Sequence, residues 1–155
     1  MSLIQRSPGE AVADIERNLR HIDGIIKQKG REILNDYMIT PPQFIALHSL
    51  YEKGDTTIGE LSSRMFLACS TTTDLIDRME KASLVERVRD TKDRRIVRIH
   101  LLEEGEKIIK DVIQRRREYV EGVLSNFSEK ETAQLNTLLN KMHIEMKVER
   151  GGRVE

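Results

Sequence analysis

Between Arg87 and Arg98 the chain carries six basic side chains, Arg87, Arg89, Lys92, Arg94, Arg95 and Arg98, against only Asp90 and Asp93. A local concentration of that kind attracts a polyanion, and its chemistry is phosphate neutralisation. Just upstream, Ser70, Thr71 and Thr73 set short hydroxyls at the start of an amphipathic segment. Hydroxyls beside the free backbone N–H groups of a helix start suit phosphate oxygens and base edges in a major groove. Arg78 is a candidate phosphate or base contact on the same segment. Asp74 and Asp77 work against it, since a carboxylate repels phosphate unless it accepts from cytosine N4 or orients a neighbouring arginine. For Asp77, Arg78 and Lys81 a plain solvated helix face is the alternative.

Those residues need a helix and a hairpin to hold them. From Ser70 to Ala82, Thr72, Leu75, Ile76 and Met79 share one helical face, while Ser70, Asp74, Asp77 and Lys81 take the opposite one. Leu84–Arg89 and Ile96–Leu101 alternate in polarity around a charged tip, Asp90–Arg95, which reads as a β-hairpin with a basic end. Ahead of them, Thr57 and Glu60 form a capping signature for a short helix through Leu61, and the interval Met65–Cys69 leaves room only for a tight turn. Two short helices so joined make a helix-turn-helix, with Phe66 and Leu67 expected to plug the angle against Leu61, Leu75 and Ile76.

Four further helices are predicted around this unit. Ser7-Pro8-Gly9-Glu10 starts a long one whose apolar positions run Val12, Ile15, Leu19, Ile22, Ile26 and Ile33, reaching about Leu34 before a break over Asn35–Ile39. Thr40-Pro41-Pro42-Gln43 starts one that ends near Gly54. Glu103 to about Phe127 carries an apolar stripe, and Ser128 with Glu131 caps a last amphipathic helix through Met146. The tail Lys147–Glu155 is expected to fray.

Composition bounds the possibilities. With 155 residues the chain is expected to form one compact unit, able to remove roughly two thirds of its unfolded surface from water. One cysteine excludes an internal disulfide, and no apolar run reaches the length of a membrane span or signal core, so the expectation is a soluble, cytoplasmic protein with no membrane partner. Twenty-six Lys and Arg balance 26 Asp and Glu, so the whole-chain charge lends no support to nucleic-acid binding; only the local distribution does. His21, His48, His100 and His143 are dispersed and no pair stands at i, i+4, so no metal site and no cofactor are indicated. Nor is an enzyme: a glycine-rich phosphate loop, a nucleophile elbow and a clustered acid–base constellation are all missing from the sequence.

The run Thr73-Asp-Leu-Ile-Asp-Arg-Met-Glu-Lys81, then Leu84-Val-Glu-Arg87, Asp93-Arg-Arg95 and Ile99-His-Leu-Leu-Glu-Glu-Gly105, resembles the MarR family of winged helix-turn-helix transcription regulators. Several pieces in the right order and spacing make that resemblance far more specific than a single motif, and it covers nearly the whole chain. It implies a mainly α fold with a small β-wing, as a single domain over 1–155: a winged helix-turn-helix module over about 40–101 and long dimerisation helices over about 7–36 and 103–148. It implies a homodimer of triangular outline on double-stranded DNA with a near-palindromic site, acting as a repressor released by a small ligand or another signal.

On these terms Ser70, Thr71, Thr73, Asp74 and Arg78 belong to the major groove. Arg95 matches the wing arginine that enters a minor groove, Asp93 the acid that holds it, and Arg94 adds phosphate neutralisation. Two positions depart from the family pattern. Ser62 stands for the usual small residue, and Ser83 for a frequent glycine, at a cost of about 1 kcal/mol if a left-handed backbone is needed there. Many relatives bind small aromatic or phenolic effectors in a crevice near Tyr37, Phe44, His48 and Tyr51, although core packing is the simpler role for these four. Cys69 is expected to be a buried, inert thiol, with a redox trigger as the alternative. Two other functions stay open: a winged-helix protein-interaction adaptor that does not bind DNA, and an enzyme using the crevice.

Overall fold

The computed structural model describes residues 7–151. In chain order the elements are α1 (Pro8–Asp36), α2 (Pro41–Lys53), β1 (Thr56–Thr57), α3 (Ile58–Met65), α4 (Cys69–Lys81), β2 (Val85–Arg89), β3 (Val97–Leu101), α5 (Glu103–Leu124) and α6 (Glu129–Gly151). The chain divides into two compact units after Arg116, each with its own organisation.

Local chemistry starts the helices. Ser7, Thr40, Thr57 and Ser128 each accept from the backbone N–H three residues on, and Glu10, Gln43, Glu60 and Glu131 accept in return, so the four reciprocal boxes expected from sequence all form. Glu60 does more than cap. Its carboxylate also accepts from the buried Thr56 hydroxyl at 2.6 Å, and that bond, with the Thr57 N–H, holds the group below its usual pKa.

Helix ends are equally specific. Leu84 N–H bonds to Met79 O and Ser83 N–H to Glu80 O, with Ser83 at φ 59°. This is a Schellman closure whose left-handed position usually takes glycine, and its characteristic apolar contact is supplied by buried Met79 and Leu84. The left-handed conformation is therefore required at Ser83, and serine adopts it. The same closure ends α1 at Met38 and α3 at Phe66, both at φ 56°.

In the first unit one core gathers Ile33 of α1, Leu47 of α2, Leu61 of α3, Ile76 and Met79 of α4, Val85 and Ile99 of the hairpin, and Ile109 and Val112 of α5. Thr72, Ile76 and Met79 are buried as the sequence face predicts, and Leu75 packs beside them. The sheet is antiparallel in the order β1-β3-β2, with Val85 opposite Leu101 and Arg89 opposite Val97. Strand β1, which pairs Thr56 with Ile99, was not expected from sequence; two residues are too short to show a period. Gly105 lets α5 start against the hairpin, because a Cβ there would collide with Leu84 O and stand 2.8 Å from Leu101 Cδ1.

Three expectations need correcting. Phe66 does not plug the angle between α3 and α4; the left-handed backbone turns its ring outward, 89% exposed, while Met65 packs on the core instead. Cys69 is exposed rather than buried: it shares the helical face of Thr72 and Ile76 but stands at the first position of α4, one turn ahead of the buried residues. Residues 147–151 continue α6 where fraying was expected, and the rest of that tail lies outside the described residues.

Both units leave apolar stripes in water. In the first, Val12, Ile15, Ile22 and Ile26 of α1 are exposed. In the second, α6 buries no described residue, and Leu138 and Leu139 are exposed.

Candidate nucleic-acid interface

Helix α4 begins after Ala68, which has no side chain able to cap, so the first N–H groups of the helix receive no side-chain bond. Cys69, Ser70 and Thr71 surround that opening and are exposed. Thr73 is half-buried and its hydroxyl donates to Cys69 O at 2.8 Å, leaving the oxygen free only to accept. Thr72, one position away, points inward and donates to Ala68 O at 3.1 Å. The outward hydroxyls are therefore Ser70 and Thr71, with Thr73 on the margin. Asp74 and Arg78 lie exposed farther along the helix.

Asp77 belongs to a different arrangement. Arg87 of β2 reaches back to α4 and donates to Asp77 Oδ1 at 2.6 Å and to Glu80 Oε1 at 2.9 Å, while its backbone N–H donates to Glu80 Oε2 at 3.0 Å. Partial burial lowers the pKa of the Arg87 guanidinium, but the bonds and charges of the two carboxylates outweigh it and raise the group above its usual value. This joint fixes the hairpin to α4 and removes Arg87 from the freely available basic cluster. Sequence reading missed it, although the charges themselves were visible; the two carboxylates lie seven and ten positions from the arginine and only the fold brings them together.

At the tip, Arg95 is held in another way. Asp93 Oδ1 accepts from the Arg95 backbone N–H and from its Nε, both at 3.1 Å, and Oδ2 accepts from Nη2 at 3.3 Å. The Arg95 side-chain bonds, followed by its backbone bond, keep the Asp93 carboxyl below its ordinary pKa. Ile96 N–H closes the turn on Asp93 O, and Asp90 N–H bonds to Ile96 O. Arg89 donates to Arg94 O at 3.1 Å, bracing the tip from the strand below. The Arg95 side chain nevertheless remains 91% exposed, and Lys92 and Arg94 are exposed beside it.

The aromatic group near α2 is partly core. Tyr37 and Phe44 pack against buried residues, Phe44 stacks on His48 with centroids 5.9 Å apart, and Tyr51 faces outward. Arg115 stands 5.8 Å from the Tyr37 ring centre and Arg116 5.8 Å from that of Phe44. His48 Nε2 lies 3.3 Å from Glu52. Among the described residues no cluster of three or more His, Cys, Asp or Glu could hold a metal, and no helix is long and apolar enough to cross a membrane.

A sequence model of the MarR family matches residues 39–97, the stretch from the start of α2 through the hairpin tip. Over nearly its whole length the chain is similar to a structure of a MarR family protein from Bacillus stearothermophilus, with 52% identity, a TM-score of 0.82, and coverage of 92% of this chain and 99% of the other. The chain belongs to the MarR family. It is 64% identical to an uncharacterised HTH-type transcriptional regulator, YsmB, of Bacillus subtilis (strain 168), over 90% of this chain and 96% of that one. A mutant of MepR from S. aureus, solved bound to an oligodeoxyribonucleotide, is 25% identical with a TM-score of 0.70, over 85% of this chain and 97% of that one. This MarR family member is thus a DNA-binding transcription regulator of the helix-turn-helix type, and catalysis is not an activity its relatives' names carry.

Proposed function

We propose that this regulator reads a near-palindromic duplex as a homodimer in the cytoplasm, inserting α4 into the major groove and Arg95 into the flanking minor groove, and represses by occupying its site. The observation that carries the reading is the exposed, acid-braced Arg95 on the same hairpin whose base is bolted to α4 through Arg87. A rigid joint between reading helix and tip lets both grooves be engaged in one register. Ser70, Thr71 and Thr73 supply hydroxyls to phosphate or base edges, Arg78 adds a cation, and Asp74 is suited to a cytosine N4. Arg94 neutralises phosphate. Asp93 orients the Arg95 fork toward the narrow groove, where negative potential is concentrated.

Support for pairing comes from the unpartnered apolar stripes of α1 and α6, whose Val12, Ile15, Leu138 and Leu139 are costly to leave in water. In this reading, residues about 7–36 and 103–148 form the dimerisation region of a single domain, and equivalent reading helices meet half-sites roughly 34–36 Å apart. The release signal we propose is a small aromatic or phenolic molecule, to which His48, Phe44 and Tyr37 with their neighbouring arginines offer stacking and charge; Tyr51 is the outlying member.

Duplexes selected from a random pool, titrated at two salt concentrations, test the reading. Binding that weakens steeply with salt is expected. Failure to bind any duplex at low salt returns the protein to the adaptor class.

A further inference from the structure

Three helices of the first unit end on a left-handed residue that is not glycine, and Phe66 is the bulkiest of them. Its backbone role, accepting the Schellman turn that closes α3, is one glycine performs without steric cost. Its ring contributes little to the fold, since it is 89% exposed while Met65 packs on the core and Leu67 is half-buried. An aromatic ring carries a large apolar area, so leaving it in water adds a second cost to the first.

Position supplies the use. Phe66 lies three residues before Cys69, the first residue of α4, so its Cα is at most about 11 Å from the opening of that helix. A duplex that receives α4 has its groove wall within reach of the ring. The surroundings match that wall better than they match a protein groove: between Arg64 and Thr71, Phe66 is the one large hydrophobic side chain that is exposed, and its exposed company is a cation, the small Ala68 and Cys69, and the hydroxyls of Ser70 and Thr71. A duplex presents the same mixture, with anionic phosphates beside apolar deoxyribose faces and thymine methyls.

We infer that Phe66 is a DNA-contact residue, its ring packing on the deoxyribose and thymine-methyl surface that borders the groove occupied by α4. The inference rests on the DNA reading given above. It is tested on the full-length protein with duplexes that the wild type selects from random DNA, comparing Phe66→Gly, Phe66→Tyr, Met38→Gly and Arg95→Ala. Phe66→Gly should melt higher, by roughly 2–4 °C, because the left-handed strain is gone, yet bind about fivefold or more weakly with an unchanged salt slope, since no phosphate contact is lost. Phe66→Tyr should keep wild-type affinity. Met38→Gly relieves the same strain at the end of α1 and should melt higher with unaltered affinity. Phe66→Gly binding as tightly as wild type, while Arg95→Ala is weakened, would overturn the inference and leave the DNA reading standing. A wild type that selects no duplex would remove both.

Discussion

Arg87 at the base of the hairpin and Arg95 at its tip are both tied to aspartates, but their settings differ. The Arg87 side chain is 28% exposed and lies between Asp77 and Glu80 on another element; that of Arg95 is 91% exposed and its acid partner, Asp93, lies two residues away. A guanidinium held by two carboxylates from a neighbouring helix has its donors spent on the fold. One held by a single local acid is fixed in direction and still presents its face to solvent, which suits a planar fork that must meet a second anionic partner. The same residue type therefore serves as a joint in one place and, in the proposed binding mode, as a probe in the other, and the difference is set by which element supplies the acid.

The sharpest way to break this contrast is at the tip. Arg95→Ala should lower affinity for selected duplexes by about 10–100-fold, the range of a lost groove contact, with the melting temperature unchanged; gel-shift titration beside a thermal melt reads both. Arg87→Ala should do the reverse, costing on the order of 1 kcal/mol of stability, since Asp77 and Glu80 are 48% and 40% exposed and water replaces part of what they lose, and weakening DNA binding only through a loosened hairpin; denaturant unfolding measures it. If the two variants behaved alike, joint and probe would not be distinct.

A smaller effect is expected at the corner between helix and hairpin. Ser83→Gly removes a Cβ from a left-handed position and should stabilise the protein by about 1 kcal/mol, measured by the shift in unfolding midpoint, without weakening the Arg87 joint. The smallest effect concerns acid. Because Arg95 depresses the Asp93 pKa in the folded chain, the braced tip is fully present above the unfolded value, about 3.9, and is lost only as pH falls through the lowered folded value. Following the Asp93 carboxyl by NMR should show its titration moving up toward the ordinary value in Arg95→Ala.

Legibility in the sequence followed the range of the interactions. The four capping boxes were readable because Ser7, Thr40, Thr57 and Ser128 meet partners three residues away. The buried face of α4 was readable because Thr72, Ile76 and Met79 keep a helical period. The tip pairing of Asp93 with Arg95 was expected through family resemblance and is equally local. The Arg87 joint was not readable, since Asp77 is ten positions away and only the Schellman turn at Ser83 folds the chain back. Phe66 was placed inside on hydrophobicity, and the handedness of one backbone dihedral reversed it. Cys69 was misplaced for a different reason: small apolar residues are usually buried, but this one stands at the very start of α4, ahead of the turn where burial begins.

The comparison between the two arginines rests finally on what each does to the salt dependence of binding. Duplexes chosen by the wild-type protein, titrated with wild type, Arg95→Ala and Arg87→Ala across a range of salt, give one slope per variant. A steep wild-type slope is expected, reduced by about one for Arg95→Ala and preserved for Arg87→Ala; a wild-type affinity indifferent to salt, or an Arg95→Ala protein indistinguishable from wild type, would contradict the assignment of joint and probe.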